Sequence, residues 1–351
     1  MIQRALRGNR VPHAYVFHGP DGVGKEAFAT AFAQLLLCPQ PRSAEADLRK
    51  RSELADWTGP ALDVCDECDD CRAVRADTHP DLHRIYRQLN AFHPDTAVRN
   101  RKALDLGVDV VRHFVIEAVG AKPGRGRAKV FIVREADRIT TAAQNALLKT
   151  LEEPPATTFL ILLVSSLERL LPTTFSRCQL VSFSPLPDDF VAQRLRELRP
   201  ELEDDAVAYV AQIAEGSLGL ALRYVDDGIP AMRERIVTPL ERLDATGSSA
   251  VVKDWMESAK ALGAACRRRD PDVSDTEAQR QGLHVLLSLA SAWYRARLRS
   301  AVNESEGAPR AAVCADAISA VNTAARQVEL NANVQLCLEA LVFRLARQRA
   351  C

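Results

Sequence analysis

Short apolar runs alternate with amphipathic segments over the first half of the chain, and this alternation predicts strands separated by helices. Four runs have the length and composition of buried strands: 14–17, 82–86, 129–133 and 159–164. After the third run, apolar residues recur at every fourth position from Ala143 to Leu151, which predicts a helix over 141–153 that Pro154 ends. Strands connected through helices in this order predict a parallel sheet covered by helices.

Beyond residue 187 the strand pattern gives way to helical periodicity. The pattern predicts a small helical unit over about 188–225 and longer amphipathic helices from about 232, including 283–298 and 334–345. A polar break over 304–309 separates two of these helices. We therefore predict three domains: an α/β domain over 1–186 with an insertion at about 38–79, a small helical domain over 187–231, and an all-helical domain over 232–351.

The charge balance of the chain narrows the class of protein. Its 351 residues include 46 basic and 46 acidic side chains, which excludes a strongly basic, self-sufficient nucleic-acid binder. No apolar run reaches the length of a membrane span, and no signal-peptide pattern opens the sequence. We therefore expect a cytoplasmic protein, in which cysteines are reduced, buried or metal-bound rather than paired.

Three of the nine cysteines have the spacing of metal ligands. Cys65, Cys68 and Cys71 are each separated by two residues, and Cys38 lies upstream at the end of the first predicted helix. Four thiolates are the usual ligands of a closed, tetrahedral structural zinc site, which leaves no position open for water. We predict such a site here. The alternatives are an iron–sulfur cluster and a group of unligated thiols.

Other potential ligands are left out of the predicted zinc site. His18 and His79 stand alone beside a complete set of cysteines, so we expect them to be packing or surface groups. The remaining cysteines show no ligand spacing, and most are expected to be small core residues: Cys178, Cys266, Cys314, Cys337 and Cys351.

A phosphate-binding loop follows the first predicted strand. Residues 18–26 match the pattern G-x-x-x-x-G-K, with Gly19, Gly22, Gly24 and Lys25 as the residues that would hold phosphate, but Glu26 replaces the usual Ser or Thr. That hydroxyl normally binds the Mg²⁺ that bridges the nucleotide phosphates. The predicted strand 129–133 should end in a second metal-binding carboxylate. Arg134 follows it instead, and Glu135 comes next.

Both metal-holding positions of an ATPase are thus altered, and the charges at those positions matter. A guanidinium beside Mg²⁺, or a carboxylate beside phosphate, costs on the order of 4 kcal/mol at about 4 Å and an effective dielectric constant near 20. We expect ATP hydrolysis to be lost. Two alternatives stay open: Glu26 binds Mg²⁺ itself, or Arg134 pairs with Glu26 or Glu135. In either case the loop still has the residues to hold a nucleotide.

Several motifs together resemble a known family, the clamp-loader AAA+ subunits of bacterial DNA polymerase III. They are residues 136–139, residues 144–155, Ser176-Arg177-Cys178, His79-Pro80-Asp81, the cysteines after the first helix, and Asn331-Ala332-Asn333 with the apolar residues that follow. The resemblance implies an AAA+ α/β domain with a zinc-module insertion, followed by a small helical lid and an all-helical collar through which the subunits form a ring.

The family contains ATP-hydrolysing motor subunits and a non-motor subunit, and three departures favour the latter. The motors have Asp-Glu where this sequence has Arg134-Glu135, a hydroxyl residue in place of Glu26, and a lid arginine in place of Gly219. The resemblance therefore implies a stator, without ATPase activity of its own, in the DNA polymerase III holoenzyme. It would help motor (tau/gamma) subunits and a delta subunit to load the sliding clamp onto primed DNA. The alternative is an active motor subunit or another AAA+ remodelling ATPase.

Arg177 has a separate role in the family pattern. The resemblance implies that the arginine of Ser176-Arg177-Cys178 reaches across a subunit interface to ATP bound by a neighbour. A guanidinium carries a permanent charge in a rigid fork, which suits it to stabilise charge on a γ-phosphate. The alternative is an arginine–carboxylate bridge within its own domain.

Overall fold

The computed structural model describes residues 2–7, 10–43, 62–125, 127–241, 248–269, 273–304, 307–330 and 332–349. Two residues named in the sequence analysis, Asn331 and Cys351, lie outside these ranges. The chain divides into two compact units, Met1–Pro185 and Leu186–Cys351. Among the described residues, no helix has both the length and the apolar character needed to cross a membrane.

A parallel sheet of five strands forms the centre of the first unit, with the order β4-β5-β6-β1-β7. These strands are β1 (Ala14–His18), β4 (Leu82–Ile85), β5 (Lys129–Val133), β6 (Thr158–Val164) and β7 (Gln179–Ser182). Two further strands, β2 (Arg42–Ser43) and β3 (Leu62–Asp63), pair antiparallel in the insertion. The strand β1 lies between strands that come much later in the chain. This order and the covering helices confirm the predicted α/β fold class with a parallel sheet.

Helices cover both faces of this sheet. They are α1 (Ile2–Arg7), α2 (Lys25–Leu37), α3 (Asp69–Arg75), α4 (Thr96–Arg99), α5 (Val108–Val111), α6 (Ala118–Gly120), α7 (Thr141–Glu152) and α8 (Pro172–Phe175). A π-helix occupies Arg112–Glu117. Alternate residues of β5 face opposite ways: Val130 packs in the cluster that includes α2, and Phe131 packs in the cluster that includes α7. Because both faces are covered, the central strands are apolar throughout.

The edge strand β7 was not among the predicted strands. Of its four residues, Gln-Leu-Val-Ser, three are partly buried and one is exposed, and they form no apolar run, so their local pattern carries little strand signal. The strand matters because it continues into Phe183, which packs against the start of the phosphate loop. A Cβ on Gly19 would lie 2.1 Å from the carbonyl oxygen of Phe183, and Gly19 has φ +147°. Only glycine is compatible with this approach.

The second unit is entirely helical over its described residues. Its helices are α9 (Asp188–Leu198), α10 (Asp204–Ile213), α11 (Leu218–Asp226), α12 (Ile229–Glu241), α13 (Ser248–Arg269), α14 (Asp275–Val302), α15 (Ala308–Glu329) and α16 (Val334–Arg349). The pair α13 and α14 approaches closely at two glycines, since a Cβ on Gly282 would lie 2.1 Å from the carbonyl oxygen of Ala259. The division of this unit at residue 231 into a lid and a collar stays a prediction.

Two boundaries in the second unit differ from the sequence-based ones. The helix predicted over 283–298 is the central part of α14, which begins eight residues earlier in a polar turn capped by Ser274. The predicted break over 304–309 is also too long, because Pro309 lies in the first turn of α15. Proline is well tolerated there, since the first turn of a helix has no internal partner for its missing N–H.

Candidate functional site

The phosphate loop has the backbone geometry that its glycines predict. It connects the end of β1 at His18 to the first residue of α2, Lys25. Gly22 and Gly24 have positive φ angles of 74° and 100°, and Gly24 is the N-cap of α2 without any side-chain cap. The first N–H groups of the helix therefore have no side-chain acceptor at the N-cap, which is the arrangement of an anion-binding loop.

Lys25 is buried and bonded to its own loop. Its Nζ donates to the carbonyl oxygens of Gly19, at 2.5 Å, and Pro20, at 2.9 Å, and lies 3.3 Å from a carboxylate oxygen of Asp21. Only 7% of the residue is exposed. A bound phosphate would have to replace these carbonyl contacts as partner of the ammonium group.

Glu26 and Arg134 form an ion pair at the position where the metal shell would form. A guanidinium nitrogen of Arg134 lies 2.7 Å from the carboxylate of Glu26. Arg84, on β4, donates to the same carboxylate at 3.3 Å and is held by Asp77 at 2.6 Å. The sequence analysis left open whether Glu26 binds Mg²⁺ or pairs with Arg134, and in the structure the two residues pair. The two side chains therefore attract each other instead of each facing a like charge on the metal or the phosphate.

These residues do not fit a magnesium ion. A cation at Glu26 would have to displace two guanidinium groups, and Arg134 itself offers no oxygen ligand. Arg84 was not identified from the sequence. Its position could have indicated this role. Arg84 lies one residue before the end of β4, which is parallel to β5, and the carboxyl ends of parallel strands meet at one edge of the sheet.

Glu135 is tied into the same edge of the sheet as a structural carboxylate. It has a left-handed backbone with φ 47° and ψ 42° and lies 3.1 Å from Nε of Arg87. Arg138 lies 3.8 Å from its other oxygen. Left-handed backbone costs a non-glycine residue roughly 1–2 kcal/mol, and the two ion pairs and the turn after β5 hold it in place.

The lid position is in the second unit, at the start of α11. Gly219 is the second residue of that helix, and Ser217 caps it by accepting from the N–H of Leu220 at 3.0 Å. Glu215 and Gly216 precede the cap with φ angles of 50° and 78°. Gly219 contributes no cation.

Arg177 lies in a bridge within the first unit. Its guanidinium contacts the carboxylate of Glu152 at 2.6 Å and the carbonyl oxygen of Thr173 at 2.7 Å. About 35% of the Arg177 side chain and 48% of the Glu152 side chain are exposed. The arginine–carboxylate bridge that the sequence analysis left as an alternative is therefore formed. Because the pair is exposed, it contributes only about 0–1 kcal/mol to stability, and Arg177 can leave it at little cost.

The four predicted zinc ligands converge on one point. The Sγ atoms of Cys38, Cys65, Cys68 and Cys71 all lie within 4.8 Å of one another. The separations are 3.5 Å between Cys38 and Cys65 and 3.8 Å between Cys65 and Cys71. Zn–S bonds of about 2.3 Å in a tetrahedron give S–S edges of about 3.8 Å, whereas a disulfide needs about 2.05 Å. The donor set therefore fits a tetrahedral zinc ion.

Backbone N–H groups prepare this cluster for a cation. The N–H of Cys68 donates to the sulfur of Cys65 at 3.4 Å, and this contact and one from Glu67 lower the pKa of the Cys65 thiol to about 6. Burial has the opposite effect on Cys71, raising the pKa of its thiol to about 12. A bound metal would have to displace the Cys71 proton, so binding should release protons and weaken as pH falls.

Polar contacts attach the cysteine module to the sheet. The buried His79 ring lies 3.2 Å from Asp70 through Nε2, and its Nδ1 accepts the N–H of Asp81 at 3.1 Å. Asp81 in turn accepts from the N–H groups of Gly124 and Arg125 at 2.6 and 2.9 Å. His79 is thus a packing residue, as expected. Of the cysteines outside the cluster, Cys266, Cys314 and Cys337 are buried and Cys178 is half-buried.

Comparison with known proteins gives a consistent set of relatives. A family model described as DNA polymerase III, delta subunit, matches residues 1–187. The chain is 34% identical over 259 residues to the DNA polymerase III subunit delta' of Escherichia coli, covering 74% of this chain and 66% of that protein. It is 31% identical over 246 residues to the subunit delta' of Pseudomonas aeruginosa, covering 69% and 65%. It is also 29% identical over 230 residues to the gamma/tau subunit of Mycoplasma pneumoniae, covering 64% and 29%.

Proposed function

The chain belongs to the family described as DNA polymerase III, delta subunit, and on that premise we propose that it is the non-motor subunit of a clamp loader. In this role it is a stator of the delta' type, which helps the motor subunits to load the sliding clamp onto primed DNA and hydrolyses no ATP itself. It works in the cytoplasm as part of the DNA polymerase III holoenzyme.

The observation that carries this proposal is the ion pair between Glu26 and Arg134, 2.7 Å apart. Phosphoryl transfer depends on a metal ion and on positioning, with little covalent chemistry for the protein to do. A site in which a guanidinium and a carboxylate neutralise each other has neither a ligand set for Mg²⁺ nor a free carboxylate. The phosphate loop, including Lys25, then acts mainly as a structural connection, and any nucleotide held there stays intact.

Zinc is the cofactor of this proposal, with a structural role. Cys38, Cys65, Cys68 and Cys71 would hold it, and the metal would link α2 to the start of α3. Three of the four cysteines are buried, and the donor set is complete, which leaves no place for a reacting water. Among its described elements the insertion has only a pair of two-residue strands and one short helix. A metal cross-link would therefore add substantially to its stability.

The partners of this proposal are motor subunits of the tau/gamma type and a delta subunit. The last helix offers a surface for such contacts. Leu336 and Phe343 are 67% and 60% exposed and lie seven residues apart on α16, so they share one face of the helix. Leu330, just before this helix, is 81% exposed. Apolar side chains exposed next to one another favour a protein interface over solvent.

We expect the purified chain to show no ATPase activity typical of a motor. Turnover with Mg²⁺ should stay below about 1 per second, the lower end of the range for phosphoryl-transfer enzymes such as kinases, because the Glu26–Arg134 pair excludes the metal. A coupled phosphate-release assay measures this rate. Residual turnover that persists in the Lys25→Ala variant would come from a contaminating ATPase. Turnover at or above about 1 per second that Lys25→Ala abolishes would favour the rival motor function.

The double variant Glu26→Thr, Arg134→Asp tests the cause. It restores a hydroxyl and a carboxylate at the two metal positions, so nucleotide affinity should rise when Mg²⁺ is present. Full turnover should not follow, because Gly219 contributes no cation and an arginine finger must come from a neighbour. No gain in affinity would show that the ion pair is not what limits the site.

We also expect the chain to assemble with motor subunits at micromolar concentration, as measured by mass photometry. The double variant Leu336→Asp, Phe343→Asp should weaken assembly at least ~10-fold, because burying these two apolar side chains in an interface would together be worth more than the 1.4 kcal/mol that a tenfold change requires. Phe92→Asp is the matched control, since Phe92 is 70% exposed in the first unit. Failure of the unmodified chain to assemble would argue against the proposed function.

A further inference from the structure

The helical second unit contains a cavity of about 670 Å³ that the proposed function does not use. Helices α10, α11, α13 and α14 form its walls, and Val328 of α15 completes them. Its volume lies within the roughly 300–1,000 Å³ that is typical of small-molecule sites. The cavity is therefore large enough for a ligand, and its lining decides which chemistry would bind.

Positive charge is in excess around this cavity. Four arginines and three carboxylates line it: Arg223, Arg269, Arg280, Arg295, Glu215, Asp227 and Glu277. Two of the arginines form ion pairs: Arg295 donates to Glu215 at 2.5 Å, and Arg269 pairs with Asp227. The third carboxylate, Glu277, accepts from the amide of Gln281 at 3.3 Å.

Two guanidinium groups are left over by this pairing. Arg223 belongs to α11 and Arg280 to α14, so they come from two different walls of the cavity. Within the ranges that the structure describes, neither of them has a carboxylate at ion-pair distance. Guanidinium groups bind phosphate oxygens in pairs of parallel hydrogen bonds, and a phosphate carries enough charge for two such groups.

The rest of the lining is mixed. Gln281, His284 and Ser288 are polar, and the apolar residues are Ile213, Leu220, Val285, Ala292 and Val328. The adjoining Tyr224 is buried, and this burial raises the pKa of its hydroxyl to about 12, so the phenol is neutral and adds no competing negative charge. A cavity lined by two guanidinium groups without a carboxylate partner and by apolar side chains matches a ligand with a phosphate group on a flat, weakly polar body.

We propose that this cavity binds a phosphate-bearing small molecule of the nucleoside diphosphate class, with its phosphates between Arg223 and Arg280 and its base against the wall of Leu220 and Val285. None of the residues that line the cavity belongs to the phosphate loop, which is part of the other unit. Its occupation would connect α11 to α14, the first in the predicted lid and the second in the predicted collar.

Calorimetric titration of the full chain with ADP, without added metal, tests this proposal. To separate the two possible sites, the same titration is made on Lys25→Ala, in which the ADP binding that belongs to the cavity should remain. Arg223→Gln and Arg280→Gln should each weaken binding at least ~10-fold, since each removes a charge-assisted contact. Arg299→Gln is the matched control: it is an exposed arginine of α14 that does not line the cavity. Inorganic pyrophosphate should bind at least ~10-fold more weakly than ADP, because it lacks the base.

Four results would overturn the proposal. They are no binding of ADP at millimolar concentration, loss of all binding in Lys25→Ala, equal weakening by Arg299→Gln and Arg223→Gln, and pyrophosphate binding as tight as that of ADP. A polyglutamate peptide that binds more tightly than ADP would assign the cavity to an acidic protein segment instead. Arg223 is exposed, so its variant should fold, and equal melting temperatures of all variants check this.

Discussion

Replacing Arg177 with alanine should leave the protein folded and the ring assembled, yet should reduce DNA-stimulated ATP hydrolysis by the complex. If Arg177 serves the ATP of a neighbouring motor subunit, its loss removes the guanidinium that stabilises charge on the γ-phosphate. Such a finger is worth about 10³–10⁵ in rate at the site that it serves. Only one of several ATPase sites is affected directly. Steady-state hydrolysis should therefore fall by the share of that site, or further if hydrolysis at the different sites is coupled.

The contact between Arg177 and Glu152 supplies a sharp control. Glu152→Gln breaks the same bridge as Arg177→Ala but leaves the guanidinium in place. If Arg177 is only a bridge residue, the two variants should behave alike, with losses of about 0–1 kcal/mol in stability and none in hydrolysis. If it is a finger, Glu152→Gln should keep normal hydrolysis. Arg177→Lys should not rescue the finger, because an ammonium lacks the planar fork. Normal clamp loading by the Arg177→Ala complex would refute the finger.

The purified protein should contain one zinc ion per chain, and Cys68→Ser should reduce this to less than half an equivalent. Structural zinc sites of this kind contribute an apparent binding free energy of about 10–16 kcal/mol in small peptides, so loss of one ligand should be a large effect. Metal analysis by mass spectrometry gives the stoichiometry. Cys178→Ser is the control, because Cys178 lies outside the cluster and should not change the zinc content.

The consequences of losing zinc should be local. Hydrogen exchange should accelerate over α3, whose N-cap is Cys68, while the helices of the second unit keep their protection. Removal of zinc by a chelator should be faster at pH 6 than at pH 8, because protons compete for the thiolates, above all at Cys71 with its raised pKa. Zinc below half an equivalent in the unmodified protein, or a disulfide among the four cysteines, would contradict the site.

Much of the first unit could be predicted because its signals are local. A buried parallel strand needs a continuous apolar run, and 129–133 shows one that agrees with β5 at both ends. The glycines of the phosphate loop and the triplet of cysteines are also short-range patterns, set by backbone angles and by ligand spacing. By contrast β7, at the edge of the sheet, was missed, because an edge strand needs no apolar run: three of its residues are partly buried and one is exposed.

The sequence alone determined the α/β fold class, the phosphate loop with its altered residues, and the four cysteines that cluster in the structure. The tertiary structure decided what the altered residues contact. Glu26 and Arg134 are 108 positions apart, and Arg84, 58 positions from Glu26, joins them only because β4 and β5 are neighbours in the sheet. The partner of Arg177 and the arginine-lined cavity likewise depend on how separate helices pack. Periodicity and spacing describe neighbours along the chain, whereas an ion pair is formed by neighbours in space, whose distance no local pattern encodes.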